Sequence, residues 1–407
     1  MPHPASPRRL APLGALLLVA LAGCAAPASP AGDMPTDPSP DTHGEIAGAA
    51  ELAEPAVGLT SIDGEGHVSH LDLLEETTAD LGAVRAPLTM HSDGRYLFAA
   101  DESGVSVVDS GVWTWDHVDH FHYYRAEARI LGDVEGEGIA TVATSNSSTT
   151  GGTGLFFPGS GEAVLLDTEA LSTGEIVETF RLQTVPGAGL VVPAGSFAAV
   201  AAGGEVTLHA TDGTAVGEAA ACTDPAGTIT TRVGAVIGCQ DSALLITVAD
   251  EQPVVERIPY PVGATAPRAT AFANREGRPT VAAVAEGVGV WMLDTRERSW
   301  TLLPTAEPVV QVTAVDDKDA NLLALTADGR MLVLDGGTGA LRAASAPLVS
   351  ASLAQGQPVS LIADQQRAYL SGSAEGRMWE LDFADGARIA REFTPERTPL
   401  FVAETGR

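Results

Sequence analysis

Three of the nine histidines fall within six residues, at His117, His120 and His122. They are interleaved with Asp116 and Asp119 and flanked by Trp113, Trp115, Tyr123 and Tyr124. His120 and His122 are two apart, so in an extended strand both imidazoles leave the same face. That spacing lets one strand offer two nitrogens to one metal ion. Imidazole nitrogens bind zinc at about 2.0–2.1 Å in tetrahedral sites, commonly with carboxylates holding the rings. Asp116 and Asp119 suit that holding, or direct ligation, and His117 is a third candidate ligand if the chain turns before His120. A mixed nitrogen and oxygen donor set points to zinc. The alternative is a polar loop whose histidines stack on the surrounding aromatic rings, an arrangement equally suited to a protein interface.

The remaining histidines divide by context. His91 precedes the Ser92-Asp93-Gly94 turn and next to an expected inner strand, where it is either a channel-facing ligand or an ordinary exposed histidine. His67 and His70 are three apart and face opposite ways in a strand, so no shared site is expected. His209 stands where equivalent runs carry Leu or Val and reads as a structural histidine with its own partners. No serine, histidine and acid arrangement is legible, because Ser103 and Ser106 lack the elbow context. No glycine-rich phosphate loop leads from strand to helix. The chemistry expected is therefore not catalysis, with a hydrolytic zinc site as the one enzymatic alternative, since that needs an open coordination position and a base.

These residues need a frame to hold them. Short apolar runs, many ending in Asp, recur roughly every 40 residues: His70-Leu71-Asp72, Val107-Val108-Asp109, Leu165-Leu166-Asp167, Leu208-His209-Ala210, Leu244-Leu245-Ile246, Met292-Leu293-Asp294, Val333-Leu334-Asp335 and Glu380-Leu381-Asp382. Most follow a second β-rich run and a tight Gly turn, as in Tyr96-Leu97-Phe98-Ala99-Ala100 before Asp101-Glu102-Ser103-Gly104. Paired strands and Gly turns at this period predict an all-β fold, a single β-propeller of seven or eight blades over 46–407. Eight units are countable, and seven result if the first is split. Leu71 to Leu81 is expected as strand and connection rather than helix.

The N-terminus reads as an export signal. Arg8 and Arg9 precede an apolar stretch from Leu10 to Ala22, and Leu21-Ala22-Gly23-Cys24 is a lipobox. Residues 1–23 are thus expected as a lipoprotein signal peptide, Cys24 as the lipid anchor, and 24–45 as a tether of Pro, Ala, Ser, Asp and Thr. This places the protein outside the cytoplasmic membrane, lipid-anchored to it. In that oxidising compartment Cys222 and Cys239 read as a disulfide. The formal charge of -30 and the single lysine, Lys318, argue against nucleic acid and against an anionic membrane surface as partners.

The histidine segment resembles that of the exported zinc metallochaperones of the AztD type. The resemblance rests on Gly111-Val112-Trp113-Thr114, Asp116-His117 and the run from Asp119 to Arg125. Asp93-Gly94-Arg95-Tyr96, Gly159-Ser160-Gly161 before Leu165-Leu166-Asp167, and Gly238-Cys239-Gln240-Asp241 with the paired cysteines are also similar. The resemblance extends over roughly residues 55 to 385. It implies a β-propeller that delivers zinc to the solute-binding protein of a zinc ABC importer. For such a role the residues themselves offer His120 and His122 to hold the ion, with His117, Asp119 or His91 completing the shell. The family carries further histidines, including one shortly after the first paired cysteine and some in the N-terminal segment. Here Ala226 stands at about the first of those places, and the tether offers His43 alone. Either fewer imidazoles are helped by carboxylates, or the chain is a cell-surface interaction module that has lost tight metal binding.

Overall fold

Seven of the eight recurring runs become the third strand of a four-stranded sheet, counted outward from the axis, and the eighth, Met292-Leu293-Asp294, becomes the middle strand of a three-stranded one. The computed structural model describes residues 44–116 and 120–407. The expected signal peptide 1–23, Cys24 and all but the last two residues of the expected tether lie outside the described residues, as do His117 and Asp119.

The chain forms a β-propeller. Ordered as they are met, the first ten strands are β1 (Ala50–Leu52), β2 (Gly58–Asp63), β3 (His67–Asp72), β4 (Thr78–Ala83), β5 (Thr89–Ser92), β6 (Tyr96–Asp101), β7 (Gly104–Asp109), β8 (Val112–Asp116), β9 (Phe121–Arg125) and β10 (Arg129–Glu135). The second sheet has the order β5, β6, β7, β10, all antiparallel. Five more four-stranded sheets repeat this plan further along the chain. Another, Thr280–Ala285 with Gly289–Asp294 and Ser299–Pro304, has three strands and an inner bridge between Ala273 and Ala282. The first sheet is closed by the far end of the chain: Pro399–Thr405 pairs with β2, Thr60 opposite Ala403. That pairing joins both ends of the ring. Residues Leu71 to Leu81 are strand, turn and strand, as the sequence indicates.

Two features of composition account for this frame. Middle strands are covered on both faces by neighbouring sheets, so they read as continuous apolar runs; Tyr96 to Ala100 are all buried. The recurring Asp ends the strand by taking amides of the turn beyond it. Asp72 accepts from Leu74 and Glu75, Asp294 from Arg296 and Glu297, and Asp335 from Gly337 and Thr338. Asp167 does the same for a one-turn helix, Thr168–Thr173.

Cys222 and Cys239 are bonded, as expected, and both are fully buried among Val192, Leu208, Ile237 and Leu244 between the fourth and fifth sheets. They are separated by 17 residues, a loop whose closure contributes about 3 kcal/mol in the chain-entropy account. A Cys222→Ala/Cys239→Ala variant is therefore expected to unfold in urea with about 3 kcal/mol less stability. Equal stability of the two proteins would show that the bond does not brace this seam.

Candidate metal site on an accessory sheet

Between β7 and β10 the chain leaves the second sheet and makes a hairpin, β8 and β9, that belongs to no blade. The open edge of β9 is covered by β1, giving a three-stranded sheet with Glu51 opposite Tyr124. Strand alternation puts His120, His122 and Tyr124 on one face, and the cross-strand partners of the last two are Trp115 and Trp113. The rings stack in a file: Trp113 on Tyr124 at 5.3 Å, Tyr124 on His122 at 6.3 Å, and Trp115 beside His122 at 6.0 Å. His120 meets His122 edge-on at 4.7 Å. Metal-ligand spacing and aromatic stacking, read from the sequence as alternatives, are both features of this one face.

The two imidazoles approach each other through their Nε2 atoms. Nε2 of His120 and Nε2 of His122 are 2.9 Å apart. Two imidazoles on a tetrahedral zinc, each bond about 2.0–2.1 Å, stand roughly 3.3 Å apart. A small outward movement thus converts the hydrogen bond between the rings into a two-nitrogen bite. Nδ1 of His122 lies 2.6 Å from Oε1 of Glu51. With Nδ1–H donating to that carboxylate, the Nε2 lone pair of His122 is directed at His120. Glu51 is diagonal to His122 across the β1–β9 pair, within reach of a long side chain. His120 is exposed and His122 half-buried.

The sheet is fastened at several points. Trp113 Nε1 donates to the Gly44 carbonyl at 3.2 Å. Gly44 has a φ of +72°, and a Cβ there would lie 2.5 Å from Cγ of Trp115, so only glycine lets the chain approach. Arg125 pairs with Asp72 of the first sheet at 2.6 Å, and Thr114 donates to the Gly406 carbonyl at 2.8 Å.

His91 is elsewhere. It lies on β5 in a cavity of about 750 Å³ along the propeller axis, with Nε2 3.2 Å from the Thr144 hydroxyl. Burial in that channel depresses its pKa to about 4, so it is neutral at physiological pH. Among the described residues no group of three donors within 4.8 Å unites His91 with His120 and His122. Asp116 faces Arg232 at 4.0 Å. His209 is held by the Gly213 carbonyl and the Thr207 hydroxyl, each at 2.9 Å, as a structural histidine should be.

Sequence reasoning missed Glu51 altogether, and also a donor group at the β2–β3 turn. Asp63, Glu65 and His67 bring their ligand atoms within 4.8 Å of one another. The alternation of acid, acid and histidine through a tight turn was the available signal. Arg397 stands 3.3 Å from Nδ1 of His67 and 3.7 Å from Asp63, and Asp63 already takes the turn amides of Glu65 and His67. The Arg397 guanidinium therefore already pairs with Asp63 and His67 of this cluster.

A β-propeller bearing an accessory histidine hairpin is the class that fold and site define. No family model matches the sequence, and no curated protein matches it. Among solved structures the chain is similar to AztD from Citrobacter koseri, with a TM-score of 0.74, 19% identity, and coverage of 87% of this chain and 99% of that one. A second structure, apo AztD from the same organism, gives a TM-score of 0.74 at 18% identity with the same coverage. Dihydro-heme d1 dehydrogenase NirN in complex with DHE is similar at a TM-score of 0.54 and 16% identity, covering 86% of this chain and 76% of that one. At these identities the likeness shows the propeller fold.

Proposed function

We propose that the protein is an extracytoplasmic zinc-binding metallochaperone that delivers zinc to the solute-binding protein of an ABC importer. The observation that carries the reading is the pair of Nε2 atoms 2.9 Å apart, one of them oriented by Glu51. The resemblance of the histidine segment to AztD-type proteins, and the similar fold of Citrobacter koseri AztD, support it. Zinc is cargo in this reading. His120 and His122 hold the ion, with His117 or Asp119 completing the shell. Release follows protonation of the imidazoles or capture by the partner's own ligands, a ligand exchange that needs no catalytic group. The site's exposure suits such an exchange. Export as a lipoprotein, with Cys24 as the membrane anchor and 24–45 as a tether to the propeller, places the site where an importer's binding protein is found. No helix among the described residues is long and apolar enough to cross a membrane.

Competition with a chromogenic chelator tests the reading. One zinc per chain held more tightly than about micromolar, followed by transfer to a zinc-importer solute-binding protein, is the expected result. Absence of binding would leave an interaction module, for which Phe121, 55% exposed beside His120, is the natural contact. Glu51 supplies a finer test. Glu51→Gln keeps the shape but weakens the hold on His122, and residues in that supporting role cost about 10–100-fold in metal affinity. Unchanged affinity in this variant would mean that Glu51 does not set the tautomer.

A further inference from the structure

We propose that the channel beside Gly94 binds a hard divalent cation of the calcium or magnesium class, through the carboxylates of Glu276 and Asp93. Oxygen atoms gather there around a missing side chain. A Cβ on Gly94 would stand 2.7 Å from Oε2 of Glu276 and 3.0 Å from the Arg407 carbonyl oxygen, so glycine leaves a cradle between them. Asp93, next in the chain, lines the same cavity and is 7% exposed. Its Oδ1 accepts the amides of Arg95 and Tyr96 at 3.0 and 2.7 Å, while its Oδ2 is buried with no hydrogen-bond partner. Asp93 is the charged group that acts most strongly on Glu276, followed by Glu404.

The cations nearby are committed to other acids. Arg407 pairs with Glu404 at 2.7 Å and Asp364 at 2.9 Å, and Arg95 with Asp109 at 2.8 Å. Among the described residues neither Asp93 nor Glu276 has an ion-pair partner. Asp93 is enclosed, with an unpartnered Oδ2, while Glu276 is exposed to the channel beside it. A buried carboxylate in this condition is costly unless a cation or a proton joins it. The donors are carboxylates and a carbonyl, without sulfur, and His91 is turned to Thr144. Such a set selects calcium or magnesium over zinc. Among the described residues no third His, Cys, Asp or Glu donor joins the two carboxylates within 4.8 Å, so the ion keeps part of its water shell, which both metals tolerate. The site is separate from the His120–His122 pair and independent of zinc delivery.

Isothermal titration of the purified protein with calcium chloride, and separately with magnesium chloride, tests the proposal. One ion per chain is expected, with a Kd of roughly 10⁻⁴–10⁻³ M as in extracellular calcium modules. Glu276→Gln is expected to weaken it by about tenfold or more. Glu276 makes no structural hydrogen bond, so this variant should fold, and chelator competition on the same sample should show parental zinc binding at the hairpin. Two results would overturn the proposal. One is the absence of both binding heat and a rise in Tm at about 10 mM of either salt, which would mean that the carboxylates share a proton instead. The other is equal affinity in Glu276→Gln and the parent.

Discussion

A His120→Ala/His122→Ala variant loses zinc affinity by more than about a hundredfold while its Tm stays at the parental value. The magnitude follows from what is removed. Changing a residue that only supports a ligand costs about 10–100-fold, and here both nitrogens of the bite are taken away. Stability is spared because neither imidazole belongs to a hydrophobic cluster of the propeller, and the hairpin stands outside the ring of sheets. Chelator competition and thermal unfolding, on one preparation of each protein, give both numbers. Parental zinc affinity in the double variant would place the zinc site away from the hairpin and remove the basis of the proposed function. Single variants should show the dependence to be cooperative, because one imidazole without its neighbour lacks the second bond of the chelate.

The frame of this site was readable because the repeat leaves a local imprint. A strand buried on both faces must be apolar throughout, and an Asp at its end caps the turn; both signals lie within a few residues of each other. Six of the eight runs end in that Asp, and all but one of the eight are third strands of four-stranded sheets, the exception being the middle strand Gly289–Asp294 of the three-stranded sheet. The same-face placement of His120 and His122 was equally local, since the period of a strand is two. What could not be read depends on contacts between distant segments. Ala50-Glu51-Leu52 lacks the β-branched and aromatic residues of a strand, and it becomes one only because β9 presents an unpaired edge. Glu51 was hidden with it, 71 residues from its partner His122. His91 was read as either channel-facing or ordinarily exposed, and nothing in its neighbourhood told that the fold would place it in the channel, away from the hairpin. Asp93, Glu276 and Glu404 converge because the last strand closes on the first, and no spacing rule links residues that far apart.

Arg95 shows how the propeller reaches the site, and its loss is the largest stability effect expected. The guanidinium is 1% exposed and meets the equally buried Asp109 through two bonds, Nε to Oδ1 at 2.9 Å and Nη2 to Oδ2 at 2.8 Å. Its flat face lies 3.9 Å from the ring of Trp113, the first member of the file that runs through Tyr124 to His122. Asp109 also accepts the Gly111 amide at the base of the hairpin. Replacing Arg95 by Met strands a buried carboxylate, an event that costs about 3–5 kcal/mol, with Arg129 at 3.7 Å offering partial relief from the surface. An Arg95→Met/Asp109→Leu pair should recover much of that loss, because removing both charges also removes their desolvation cost. Zinc affinity should not recover with it: the platform under Trp113 and the acceptor for Gly111 remain absent. Urea unfolding of the single and double variants, read beside their zinc titrations, separates the two roles. If stability and zinc affinity recover together, the pair acts only through the fold; if stability alone recovers, Arg95 and Asp109 position the hairpin as well as bracing the sheet beneath it.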